Sequence, residues 1–264
     1  MSISNEHDIY LKKLRREKIV VGVIQILILF VFLAGWELLA RLNIINTFTF
    51  SSPSRIINTL ISLVNDGSLF DHIGVSLYEV LISFLLATII GLTVATILWI
   101  SPLLSKIIDP YLTILNSLPK VALGPLIIIW VGASINSIIF MSLLISTFIT
   151  IINIYNGFIS TDKSYITLMK SFGASKRQIF TKVVLPSNYG TIISSLKINI
   201  SMNLIGVIMG ELLVSKEGIG YLIMYGSQVF NIDLVITGVF ILGVISYLMY
   251  FLINKLEINI LNNN

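Results

Sequence analysis

Few side chains in this 264-residue sequence could do covalent or acid–base chemistry, and their placement excludes most of it. With no Cys there are no thiol nucleophiles, thiolate metal ligands or disulfides. The two His, His7 and His72, fall in polar segments expected on opposite sides of a membrane, so they form neither a shared metal site nor a Ser–His pair. No G-x-x-x-x-G-K-S/T run occurs, so the chain supplies no P-loop for ATP. An intramembrane hydrolase would need two carboxylates at a common depth. Glu37, Glu79, Lys197 and Glu211 are the charges expected within or at the ends of apolar runs, and nothing in their spacing places them together.

What remains is recognition chemistry, concentrated in residues 162–186, DKSYITLMKSFGASKRQIFTKVVLP. Tyr165, Leu168, Met169 and Phe172 recur at helical spacing and predict one apolar stripe opposite Ser164, Thr167 and Lys170. Gly173 then ends that helix, because glycine reaches positive φ without a Cβ clash. Ser175 and Gln178 have the spacing of a capping box that starts a second helix, with Ile179, Phe180, Val183 and Val184 as its apolar face and Leu185-Pro186 as its end. Lys176 and Arg177 stand in its first turn, where the helix dipole disfavours cations. Helix stability did not place them there.

Gly173, eleven intervening residues and Leu185-Pro186, with Ala174 after the glycine and Phe180 between, resemble the EAA loop of permease subunits in ATP-binding-cassette importers. The positions matching that family's Glu-Ala-Ala are Thr167, Leu168 and Met169. The resemblance implies that Met169, Lys170, Phe172, Gly173, Ala174, Ser175, Lys176, Arg177, Ile179, Phe180, Leu185 and Pro186 couple the chain to an ATPase. In that reading Lys176 and Arg177 meet acidic groups on its rim, while Phe172, Ala174, Ile179 and Phe180 fill an apolar cleft. Residues 211–225, ELLVSKEGIGYLIMY, are similar to the segment after the fifth span in the nitrate, taurine and alkanesulfonate branch of these permeases.

The elements that must position these residues are apolar. The composition is 56% hydrophobic and 11% charged, with a mean hydropathy of +0.95, which excludes an ordinary soluble domain and predicts an all-α polytopic membrane protein. Residues 19–40 form a first span, at about 22 residues too long for the roughly 7–15 of a signal-peptide core. Glu37 is expected to reach the interface or pair with Arg41. A surface helix is expected over 55–64, then spans at 72–100, at 118–131 in a short form broken by Pro119, Gly124 and Pro125, at 135–158, at 189–214 and at 232–253. On the fifth of these, Ser195, Asn199, Met202, Asn203, Gly206 and Gly210 share one face, and Gly206 to Gly210 is a GxxxG. Small residues at that spacing predict close helix packing. Two buried amides add a demand for partners, and a face shared between a translocation pathway and a second subunit satisfies both. Glu211 is a candidate gate residue or an interfacial carboxylate paired with Lys216. Lys197 lies near enough to the cytoplasmic side to snorkel.

The net charge of +4 does not indicate a nucleic-acid partner, because the basic residues flank apolar runs. With a cytoplasmic amino terminus and six spans, Lys12, Lys13, Arg15, Arg16, Lys18, Lys106, Lys120, Lys163, Lys170, Lys176, Arg177, Lys182 and Lys255 lie inside, against Arg41, Arg55 and Lys216 outside. That bias follows the positive-inside rule and puts Gly173 in the cytosol. The expected organisation is a cytoplasmic basic segment at 1–18, a permease domain at 19–257 and a cytoplasmic tail at 258–264, in the cytoplasmic (inner) membrane.

The resemblance implies a five-helix core like that of methionine-importer permeases plus the first span, a homodimer in membrane lipid, two ATPase subunits that hold the ATP and Mg, and an extracytoplasmic solute-binding protein. No metal and no resident cofactor is expected. The implied substrate is a small anion such as an alkanesulfonate, taurine or nitrate; related permeases carry pyrimidine vitamin precursors. An ion-coupled secondary transporter is the competing class, disfavoured by the lack of an evident internal repeat.

Overall fold

The computed structural model describes residues 2–262, and these form helices and turns with no strand. The helices are α1 (Ser2–Arg41), α2 (Thr47–Phe50), α3 (Pro53–Asn65), α4 (Ser68–Ile100), α5 (Pro102–Ser117), α6 (Gly124–Val131), α7 (Ile135–Ile159), α8 (Lys163–Ser171), α9 (Lys176–Ile179), α10 (Leu185–Ser187), α11 (Tyr189–Val214), α12 (Ile219–Gln228) and α13 (Ile232–Asn262). A 3-10 turn, Lys120–Leu123, precedes α6, and a π turn, Phe180–Val184, joins α9 to α10. Five helices are long and apolar enough to cross a membrane: α1, α4, α7, α11 and α13. The expected third span, 118–131, is not among them: it is the short 120–131 segment, which has the length and apolarity of a broken span or re-entrant loop only when taken with α5, from which it is bent by 82°. α13 continues through Asn262, into the expected 258–264 tail, whose last two residues lie outside the described range.

The breaks between elements follow from local chemistry. Ser52 caps α3, its Oγ accepting the Arg55 N–H at 3.4 Å, and Pro53 takes the first helical position, where no amide is needed. Ser101 caps α5 in the same way through Leu104, again followed by a proline. Glu37 pairs with Arg41 as expected: its carboxylate accepts from Arg41 at 2.7 Å, and also from the Ser54 N–H at 3.0 Å, tying α1 to the start of α3. Elsewhere α1 stands apart, and the most apolar stretch of that helix buries no residue against the body.

The body is built on α7, which packs between α4 and α11. In lipid, apolar burial between helices gains little, so association depends on close packing and interhelical hydrogen bonds, each worth about 0.6 kcal/mol on average. The α7–α11 contact uses both. A Cβ on Gly206 would stand 2.5 Å from Ser142 Cα, so only glycine admits this approach. Beside it, Ser142 Oγ donates to Asn203 Oδ1 at 2.8 Å and Ser146 Oγ to the same oxygen at 3.2 Å. Asn203 Nδ2 donates to the Asn199 carbonyl at 2.9 Å and to Asn199 Oδ1, and Asn199 Nδ2 reaches Thr88 Oγ1 of α4 at 2.9 Å. One chain of amides and hydroxyls thus joins three spans.

α13 closes the other side of α11. Val207, Ile200 and Ile193 of α11 pack with Ile241, Ile245 and Met249 of α13 in a buried cluster. Lys197 does not snorkel: its ammonium is half-buried, bonded to Glu257 and to Asn254 Oδ1 at 2.8 Å, and stands 5.5 Å over the Tyr250 ring. At the opposite end Arg55 pairs with Asp233 at 2.9 Å, holding α3 to α13.

Candidate functional site

Residues 162–188 leave the body between the end of α7 and the start of α11, and their backbone geometry is set residue by residue. The Asp162 carboxylate accepts the Ser164 N–H at 2.8 Å, starting α8; that bond holds the exposed carboxyl below its ordinary range. α8 ends in a Schellman motif. Gly173, at φ +74°, donates its N–H to the Lys170 carbonyl at 2.9 Å, and Ala174 donates to the Met169 carbonyl at 3.0 Å. The expected capping box is complete: the Gln178 N–H reaches Ser175 Oγ at 3.3 Å, and Gln178 Oε1 accepts the Ser175 N–H at 2.8 Å.

The second helix departs from expectation beyond Ile179. Leu185 and Pro186 do not end it; the backbone winds into the π turn, the Leu185 N–H bonds to the Phe180 carbonyl, and α10 carries the proline. Leu185 keeps α-helical angles although it precedes proline. The wider π turn pairs the residues ahead of the proline, and Pro186 sits at the start of the next turn, where its missing N–H breaks nothing. The real break is Asn188, a residue absent from the expected site. Its buried amide donates to Thr161 Oγ1 and to the Val184 carbonyl, both at 2.8 Å, so the two ends of the excursion are clamped together.

Burial divides the expected coupling residues into two sets. Ile179, 3% exposed, and the partly buried Phe180 are held in the chain's own core, Phe180 between the rings of Trp99 at 5.2 Å and Phe158 at 5.3 Å. They anchor the excursion, and Ile179 has no surface for an external cleft. Met169, Ala174 and Leu185 pack against the same cluster. Lys176 is also engaged: its Nζ donates to the Ile100 carbonyl at 2.8 Å, at the negative end of α4. The outward set is Phe172, 77% exposed, with Lys170, Gly173, Ser175, Arg177 and Pro186 at the surface; Tyr165 and Leu168, which were not among the expected coupling residues, are 58% and 53% exposed. Between the excursion and the ends of α4 and α7 lies a cavity of about 310 Å³ lined by Trp99, Tyr155, Lys163, Lys170 and Lys176.

The residues expected on a pathway are gathered elsewhere. Asn199, Asn203, Gly206 and Gly210 are all buried where α11 packs against α7 and α4. Gly210 lies against Ile138 as Gly206 lies against Ser142. Met202 is partly buried and packs with Ile127, Met141 and Ile145. Glu211 is 1% exposed and bonds to Ser76 Oγ and the Gly220 N–H, each at 2.5 Å, not to Lys216. The structure also brings Glu79, 1% exposed, beside Glu211, a proximity that no spacing announced. A polar cleft of about 360 Å³ opens at the excursion end of α7 and α11, lined by Asn153, Asn156, Ser160, Thr191, Ser194 and Ser195.

A bundle of long apolar helices interrupted by a clamped, partly apolar excursion defines a polytopic membrane protein. The sequence belongs to the binding-protein-dependent transport system inner membrane component family, whose profile matches residues 87–260. It is 32% identical over 231 residues to a probable ABC transporter permease protein of Haemophilus influenzae, spanning 88% of this chain and 94% of that one. It is 29% identical over 222 residues to the formylaminopyrimidine transport permease protein ThiX of Halalkalibacterium halodurans (84% and 88% covered) and 28% identical over 227 residues to the putative aliphatic sulfonates transport permease protein SsuC of Bacillus subtilis (86% and 82% covered). Its fold is that of a chain of the inward-facing MetNI methionine ABC transporter, with a TM-score of 0.63 at 18% identity over 70% of this chain and 93% of that one. The chain is therefore an ABC importer permease subunit, and ATP hydrolysis falls to a separate ATPase chain.

Proposed function

We propose that this chain forms, with a second copy of itself, the membrane pathway of an importer for small organic anions, and that Tyr165, Leu168 and Phe172 are its contact with the ATPase. The observation that carries the coupling is the exposure of those three apolar side chains on a helix that the Schellman turn and the Asn188–Thr161 clamp hold rigid. Phe172, the most exposed, enters an apolar cleft, with Arg177, Lys170 and Lys182 around it to meet acidic groups. Ile179 and Phe180 act on the other side, transmitting displacement of the excursion to α4 and α7. Because the excursion is continuous with α7 and α11, movement of the ATPase pair tilts these two spans together and switches the pathway between inward and outward access. ATP and Mg are bound by the ATPase, and an extracytoplasmic solute-binding protein delivers the substrate. The distribution of basic residues supports a cytosolic excursion and cytosolic termini, with the Glu211 end outside.

The substrate class rests on relatives named for aliphatic sulfonates and for taurine, the latter the TauC protein of Escherichia coli, 24% identical over 224 residues. The comparable match to ThiX supports a second reading, a formylaminopyrimidine-like vitamin precursor. Purification in mild detergent tests the coupling. Wild-type protein retains a stoichiometric P-loop ATPase, and the Phe172→Glu variant loses it while staying in the membrane. Retention of the ATPase by Phe172→Glu refutes the assigned contact; a self-assembled protein with no ATPase refutes the importer assembly.

A further inference from the structure

The end of the molecule opposite the excursion contains a carboxyl pair that coupling does not use. Ser76 and Glu79 lie one turn apart on α4, facing Glu211 near the end of α11. Glu211 accepts from Ser76 Oγ and from the Gly220 N–H. Ser76 Oγ in turn accepts the Ile219 N–H at 2.9 Å, and His72 Nδ1 accepts the Gly218 N–H at 3.0 Å, so the 215–220 turn is stitched to α4. Glu79, one turn along α4 from Ser76, is brought beside Glu211 by the Ser76–Glu211 bond, and its Oε2 is buried with no partner. Glu79 also lines a cavity of about 410 Å³ with Ala133, Ser134, Ser215, Lys216 and Glu217.

An ionised carboxylate only accepts hydrogen bonds, so two carboxyls can bond to each other only if one carries a proton. Among the described residues no cation is bonded to either. From α4, Asp71 and His72 face this region, and the imidazole nitrogen is already accepting from Gly218. From the 215–220 turn, Lys216 and Glu217 stand exposed on the cavity rim. From α12, Tyr221 packs on His72. α7 contributes only hydroxyls, Ser134 and Ser137, and on α13 Asp233 is held by Arg55.

We propose that Glu79 and Glu211 are a proton-binding site: one proton bridges the two carboxyls, reaches them from the outer cavity through Glu79, and latches α4, α11 and the 215–220 turn together. Its loss leaves two like charges in contact in a medium that screens them poorly, and the turn separates from α4. External acid therefore keeps this end shut, and external alkali frees it. That the cavity faces outward rests on the topology proposed above; the shared proton does not.

Two measurements test this on the full chain. In infrared spectra at neutral pH, the wild type shows a protonated-carboxyl band that Glu79→Gln and Glu211→Gln each remove. A wild-type spectrum without the band, or a band that survives Glu79→Gln, overturns the site, the former without any variant. The natural absence of Cys permits the second. In proteoliposomes, labelling of Ile219→Cys, a fully buried position on the latched turn, by an impermeant maleimide, normalised to Asn65→Cys on the exposed turn, rises with external pH by up to roughly tenfold per unit, the slope of one titrating proton. With Glu79→Gln, whose amide still donates to Glu211, labelling stays slow at all pH; with His72→Gln the response persists. A Glu79→Gln response identical to wild type overturns the latch. Labelling of Ile219→Cys only by reagent sealed inside the vesicles overturns the outward topology, and the infrared result still decides the proton.

Discussion

Gly173 illustrates how a single residue serves two purposes. Its φ of +74° closes the Schellman motif, and it lies open at the surface with nothing within 4 Å of where a Cβ would be. A substitution there meets no clash and incurs only the cost of a left-handed backbone, about 1–2 kcal/mol. Gly173→Asp adds a charge beside Phe172 and the negative end of α8 as well. The expected outcome is a protein that reaches the membrane at normal level and has lost substrate-stimulated ATP hydrolysis, with Gly173→Ala intermediate; ATPase assays of the reconstituted complex check it. Gly173, Ser175 and Gln178 were legible in the sequence because caps are local, encoded by residues a few positions apart. Glu79 beside Glu211 was not, because their proximity depends on how α4 and α11 pack. The inward turn of Ile179 was hidden for a related reason: an apolar helix face looks the same whether its own core or a partner covers it.

At the scale of elements, the α7–α11 interface depends on Gly206. A methyl group there would stand 2.5 Å from Ser142 Cα, and relief requires the helices to part, costing about 1–3 kcal/mol and weakening the Ser142–Asn203 bonds. Gly206→Ala is thus expected to lower the thermal midpoint in detergent by several degrees, whereas Gly74→Ala, with open space around it, leaves it unchanged. Equal midpoints for the two variants would contradict this packing. The sequence showed the small, polar face of α11 clearly and left two uses for it open, packing and pathway. In the structure that face is packed, with Ser142, Ser146 and Thr88 bonded to the two amides and the amides bonded to each other. The helix spans were legible from apolar run length, and the broken third segment from its prolines and Gly124. The π turn was not, since it leaves no residue signature, and Leu185-Pro186 has the form of a stop.

For the whole molecule, the distribution of charge gives a prediction independent of any contact. Because the chain has no Cys, single cysteines report sidedness cleanly: Ser171→Cys should be labelled only from the cytosolic side and Lys216→Cys only from outside. The same side for both would reverse the proposed topology. The π turn also sets the rotational phase of the span beyond it. Each residue advances a helix by about 100°, so the extra residue held between Phe180 and Leu185 determines which way α11 faces when it starts at Tyr189. Deleting one residue from 180–184 would restore ordinary winding and rotate the Asn199–Asn203 face away from Ser142 toward lipid. The excursion is thus a dial as well as a handle: it fixes the bearing of the span that it moves.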